Sequence, residues 1–381
     1  MTPTPSPSVP SASSTGRPFV ARGLILALML GLLAIEWSLR SYTSYGATVE
    51  REDDPALGWR LQAADLAYGE SGVSLRINSH GFRDHDWLPP GSGEGAPLRI
   101  AVLGNSVTFG AGVEEPERWT DLIEASIRAE APERGVVVMN FGLPGYTLEQ
   151  MAQCYESIVR PYEPDLVLLA FNDISARPVI TLEPEIDSAL AQAVRGTAMY
   201  DFWQRRVLAG EHALGRRYTA QERAERRRIK AIWEEPFAPA HELMWRRFIR
   251  KMAELADEVD SDGSQLVLIP LPAFVHCRHP DGPRLAARLA DWEPINELPR
   301  IDSFSAVFKV MDPILKHVEA MGLDPDLIWS NGEESKEPLD PQWSAQSLFF
   351  LNDPRHLTPT GHALLADEIH KGLREQGFLG V

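Results

Sequence analysis

LRIAVLGNSVTFGAGV, residues 98–113, opens with an apolar run of strand length that breaks at Gly104 and passes directly into a helical pattern. Glycine supplies the tight backbone path such a strand-to-helix turn needs, and the turn leaves Ser106 with its hydroxyl exposed. Three further runs repeat the theme: VVVMN at 136–140, DLVLLAF at 165–171 and QLVLIP at 265–270. Continuous apolar strands alternating with helical patterns read as βαβ units, hence a parallel sheet covered on both faces. Such sheets carry their functional loops at the carboxyl ends of the strands.

Each of those ends holds residues suited to chemistry. Ser106 follows the first strand; alone, a serine there serves equally well as a helix cap. NFGLPGYT, residues 140–147, follows the second, and Gly142 or Gly145 lets the main chain approach a substrate and offer its N–H to a developing oxyanion, although Gly and Pro also mark ordinary turns. After the third strand, AFNDIS places Asn172 where its amide can donate into the same space; Asn is also a common loop residue. Near the carboxyl end stands NDPRHLTPTGH, residues 352–362, in which Asp353 and His356 lie three residues apart in an expected turn, so that the carboxylate can hold the imidazole. His362, at the start of a final helical pattern, reads as a capping or surface residue.

Taken together and in order, these motifs resemble the SGNH/GDSL hydrolase family, whose Ser, Gly, Asn and His are matched by Ser106, Gly142, Asn172 and His356. The resemblance covers residues 98–172 and 265–375, and the upstream DDPALGW and INSHGFRD are similar to those of membrane-anchored bacterial members. It implies a flavodoxin-like three-layer α/β/α sandwich with about five parallel strands. It also implies attack by Ser106 on an ester, with His356 as general base, Asp353 orienting it, and the Ser106 N–H, Gly142 N–H and Asn172 amide as oxyanion hole. There are departures. The family's GDS reads GNS, so Asn105 stands for Asp and a negative charge is lost. Ala170 replaces a frequent Gly, and its methyl is expected to narrow the site.

Outward from this domain, residues 1–18 are rich in Pro, Ser and Thr and read as a disordered tail. Residues 19–39, FVARGLILALMLGLLAIEWSL, read as a transmembrane signal anchor whose uninterrupted apolar stretch, Gly23 to Ile35, spans about 20 Å as a helix. A cleaved secretory signal is the alternative; the lack of a small-x-small cleavage site after it favours the anchor. Arg17 and Arg22 precede the span, which puts the N-terminus in the cytoplasm and the remainder outside; the alternative is a secreted protein. Residues 45–97 read as a linker with a short β segment at VSLRI, followed by the domain at 98–375 with insertions at 174–264 and 276–303. The first insertion holds a basic run from Arg216 to Lys230, which reads as a solvated helix laced with Glu222 and Glu225 or, more sharply, as a contact for anionic lipid headgroups.

A net charge of −17 speaks against a nucleic-acid partner, whereas a neutral acylated carbohydrate or lipid fits without strain. Cys154 and Cys277 form no CxxC pair and have no accompanying histidine cluster at zinc-ligand spacing, so no metal is expected, and two buried thiols are favoured over a disulfide. Ester hydrolysis by acyl transfer to serine needs no cofactor. Transfer of the acyl group to a sugar hydroxyl and a non-catalytic glycan-binding module are the other functions left open.

Overall fold

The structure, a computed structural model, describes residues 17–42, 49, 51–66, 73–91, 97–133, 135–176, 194, 197–202, 239–277, 292–323, 347–350 and 353–380. The basic run lies outside them, as does most of the expected tail, although the first helix already begins at Arg17. In chain order come α1 (Arg17–Tyr42), the antiparallel pair β1 (Arg51–Asp54) and β2 (Gly58–Leu61), and the pair β3 (Ala64–Leu66) and β4 (Leu75–Ile77). The domain continues through β5 (Leu98–Gly104), α2 (Ser106–Phe109), α3 (Trp119–Glu130), β6 (Val136–Gly142), α4 (Leu148–Cys154) and β7 (Leu166–Phe171). It ends with α5 (Ala198–Phe202), α6 (Pro239–Ser261), β8 (Gln265–Pro270), α7 (Phe304–Ala320), the hairpin of β9 (Phe349–Phe350) and β10 (Asp353–Leu357), and α8 (Pro359–Glu375).

The centre is a parallel sheet in the order β6-β5-β7-β8. Among the described residues it has four strands where about five are expected; beside β8, a single parallel bridge between Leu268 and Arg300 marks where another strand would begin. All seven residues of β5 are buried, which is why its sequence shows no polar alternation. Period-two geometry sends Ala101 and Leu103 to one face and Ile100 and Val102 to the other. On the first face they meet α4 and α6; on the second they meet α3, α7 and α8. The result is a three-layer α/β/α arrangement. Helix α3 reaches the sheet with Trp119, Ile123 and Ile127, spaced four apart on one side of the helix. Each such aliphatic side chain adds about 1.5–3 kcal/mol by leaving water.

Three segments outside the sheet contribute to the core. The segment 45–97 is more than a linker: Leu57, Leu61, Leu75, Ile77, Phe82 and Trp87 join Ala101 and Phe141 in one core. VSLRI does contribute a strand, β4. Within the expected 174–264 insertion, α6 is an integral covering helix that buries Trp245, Phe248, Met252, Leu255 and Val259 against the sheet. In the 276–303 segment, the described portion from residue 292 onward brings Ile295 and Ile301 into the core. Cys154 and Cys277 are both buried free thiols, in agreement with the favoured reading, and burial pushes the Cys277 thiol up to about 12.

Candidate active site

Ser106 is the first residue of α2, at the carboxyl end of the central strand β5, and is only 8% exposed. The turn ends at Gly110, whose φ of 77° is left-handed backbone that glycine adopts without strain. The preceding Asn105 is fully buried and caps α2: its Oδ1 accepts from Val107 N–H at 3.2 Å. Because a backbone N–H only donates, this bond fixes which half of the Asn105 amide faces the helix. The other half, Nδ2, therefore points away and donates to Asn172 Oδ1 at 2.8 Å and to Ser175 Oγ at 3.3 Å. With Asn172 Oδ1 held in this way, the donor half of the Asn172 amide is turned to the opposite side. An aspartate at 105 has no donor for that bond, so the GNS departure changes more than charge.

The Asn172 turn is closed from both ends, as Asn172 N–H donates to Ser175 Oγ and Ser175 N–H to Asn172 O. Ala170 is part of the core beside the candidate site, in the cluster that holds Val107 and Leu357. It is buried on the sheet face shared with Ile100 and Val102, because side chains alternate along β7.

Gly142 closes β6. Its N–H donates to Asn140 Oδ1 at 2.9 Å, so it is engaged within its own turn rather than open to an oxyanion. What requires glycine here is packing: a Cβ would stand 2.5 Å from Phe109 N, in the backbone of α2. Asn140 is the hub of this contact, donating through Nδ2 to Thr108 O and Thr120 Oγ1 at 2.8 and 3.0 Å. Its own N–H donates to Asp84 Oδ2. Gly145, by contrast, is exposed in the loop that follows β6.

The INSHGFRD segment supports the same turn from outside, a role that residue type alone did not reveal. Arg83, fully buried, donates to Gly110 O at 2.6 Å and to Ser74 O and Val113 O at 2.7 and 2.8 Å, bracketing the loop that follows α2. Burial, then the neighbouring Arg118, pulls its guanidinium down to about 10, which leaves it charged at neutral pH. Arg118 donates to Arg83 O and forms a two-pronged ion pair with Asp121. Burial opposes ionisation of Asp84, yet hydrogen bonding from His85, the Arg118 charge and the Asn140 N–H together hold it below the usual carboxylate range.

His356 is half-buried on β10, and α2 packs beside that strand, so the structure brings the Ser106 and His356 elements together. The DPRHL segment is strand rather than the expected turn. Residues three apart on a regular strand face opposite sides, but the register between Asp353 and Leu357 is broken, so strict alternation does not hold there. The side chain of Asp353 lies outside the described residues. His362 is not a surface residue: it is 1% exposed, and its Nδ1 accepts from Trp119 N–H at 3.2 Å, closing the start of α3 from a distance. Burial, reinforced by Arg118, His356 and Arg83, drives His362 down to about 3, so it stays neutral. Cavities among the described residues include one of about 450 Å³ beside Asp84, His85 and Asp121 and one of about 750 Å³ between α6 and Trp292.

No family model matches the chain, and no curated protein does. It is similar to several solved structures. One is a G-D-S-L family protein from Desulfitobacterium hafniense described as lipolytic, at 13% identity and a TM-score of 0.34, covering 72% of this chain and 99% of that one. Another is an acetylxylan esterase from Geobacillus stearothermophilus, at 14% identity and a TM-score of 0.40, covering 74% and 95%. A lipase/acylhydrolase from Enterococcus faecalis follows at 18% identity and a TM-score of 0.36, covering 73% and 95%.

Proposed function

We propose that the chain is a serine-dependent hydrolase of ester bonds, anchored in a membrane by α1, with its catalytic domain outside the cytoplasm and an acylated carbohydrate or lipid as substrate. The observation that carries this reading is the convergence of a helix-start serine at the end of the central strand, a strand bearing His356 packed beside that helix, and a buried amide pair that fixes Asn172. Ser106 attacks the ester carbonyl, His356 takes its proton and later returns it to the leaving alcohol, and Asp353 orients the imidazole. Charge on the carbonyl oxygen is met by the Ser106 N–H and Asn172 Nδ2. The Gly145 N–H serves in place of that of Gly142, which is held by Asn140. Water then releases the acid.

The test is labelling and turnover of the full chain in detergent. A fluorophosphonate probe should label wild type at Ser106, and small acetyl esters should be hydrolysed; Ser106→Ala should abolish both. His356→Ala should lower turnover by on the order of 10⁴-fold or more. Absence of both labelling and turnover in the folded wild type would sink the reading. An acyl-enzyme that persists in water and discharges only when a saccharide is added would move it to acyl transfer.

A further inference from the structure

Helix α1 is apolar and bare. Across Arg22–Leu39 mean hydropathy is 1.7 and none of the window is buried in the protein. As a membrane span it is short: Arg22 to Glu36 covers about 21 Å of helix, against about 30 Å of hydrocarbon. With Arg22 at one boundary, Glu36 falls several ångströms short of the other. A carboxylate at that depth is costly unless it is bonded.

The structure supplies the bonds. Glu36 Oε1 accepts from Ala198 N–H at 2.8 Å and Oε2 accepts from Met199 N–H at 3.0 Å. These are amides at the start of α5, which have no partner within their own helix. The pairing holds α5 against the far end of α1, level with the exposed Trp37. Around α5, Ala198 is buried, whereas Val194 and Phe202 are 48% and 40% exposed. The segment therefore presents large apolar groups beside a helix clothed in apolar groups, at the depth where an amphipathic aromatic belt belongs.

We propose that Val194 and α5 form a foot that inserts into the outer lipid interface beside α1. Val194 and Phe202 enter the boundary between headgroups and acyl chains, and Glu36 is the pin that holds the foot there. The foot shields the Glu36 carboxylate, which the short apolar stretch of α1 leaves within the hydrocarbon, and it fixes how the domain stands on the bilayer. Lipid is the partner because the surface is continuous with α1. The inference rests on the reading of α1 as a retained membrane span.

The experiment places a photo-crosslinking benzoylphenylalanine singly at Leu30, Val194, Phe202, Leu88 and Met321 of the full chain in phosphatidylethanolamine/phosphatidylglycerol vesicles and counts lipid adducts by mass spectrometry. Leu88 and Met321 are exposed apolar residues on other parts of the domain. Adducts are expected at Leu30, Val194 and Phe202, at least tenfold above those at Leu88 and Met321. Adducts at Leu30 with none at Val194 and Phe202 would overturn the foot while leaving the span intact. No adduct at Leu30 would overturn the span itself. Equal yield at Phe202 and Met321 would overturn the foot as well. In the Phe202-probe protein, Glu36→Ala should lower the adduct severalfold and Glu36→Gln less, with labelling of Ser106 as the check on folding; an unchanged yield would remove Glu36 as the pin.

Discussion

The two sides of the candidate site are built in different ways. On the nucleophile side, Ser106 and Asn172 sit in a lattice of buried hydrogen bonds made by the side chains of Asn105, Asn140 and Arg83 to backbone groups and to the Asn172 amide. On the base side, His356 rides a short hairpin of broken register whose flanking anchors, Phe349 and Leu357, are apolar and fully buried. Buried polar bonds organise the first half; in the second, apolar anchors add to the hairpin's own hydrogen bonds, such as that from Thr358 Oγ1 to Ser347 O. A lattice of this kind keeps donors aimed before substrate arrives, which is what stabilises a developing charge without reorganisation. A packed hairpin instead sets distance, and its precision depends on the volume of its anchors.

Removing the aimed donor should show the difference most strongly. Asn172→Ala is expected to lower kcat by about 10² to 10³ with little change in KM or in thermal unfolding. Adding Asn105→Ala to it should cost turnover less than Asn105→Ala costs the wild type, because one of the bonds Asn105 makes is to the amide already lost, the other being its cap on α2. Additive losses would detach Asn105 from the donor. On the other side, Leu357→Ala should lower unfolding free energy in urea by about 3 kcal/mol through the cavity it leaves. Its effect on kcat should ease when temperature is lowered, unlike that of Asn172→Ala. If Leu357→Ala is as stable as wild type, packing is not what holds the base side.

The smallest effect tests the outer edge of the lattice. The hydrogen bond to Asp84 raises the His85 pKa, outweighing burial. A raised histidine stabilises the fold below its unfolded value, near 6.5, and that contribution fades as pH climbs through the higher folded value. The stability gap between wild type and His85→Ala should therefore shrink from pH 6 to pH 8. It should stay under about 1 kcal/mol, because His85 is half exposed and screened. A gap that widens over that range would reverse the assignment.

Much of the sheet was legible in the sequence. The four strands and Ser106 announced themselves because a fully buried parallel strand is an unbroken apolar run and the turn after it needs glycine. The spacing of Trp245, Phe248, Met252, Leu255 and Val259 carried the α6 signal, yet it was absorbed into an insertion because the chain around it is long and polar. DPRHL showed no alternation and contains a proline, so its strand was hidden. Arg83 and His362 were hidden for a deeper reason. Nothing local marks a charge or an imidazole as buried when its partners are backbone groups brought by the fold, and the partner of His362 lies 243 residues away. Gly142 was visible as a required glycine, but sequence could not distinguish a glycine that offers its N–H from one that admits a neighbouring helix.

The long reach from Trp119 to His362 has a consequence in time. His356 lies 250 residues after Ser106. At a synthesis rate of about 5–20 residues per second, the hydroxyl leaves the ribosome some 12 to 50 s before the imidazole that would activate it. On the proposed reading, the growing chain passes through its own manufacture as a dormant enzyme. A chain cut short by its last thirty residues stays dormant, because it lacks both the base and the imidazole that closes α3. Emergence of His356 thus doubles as the activating event on that reading.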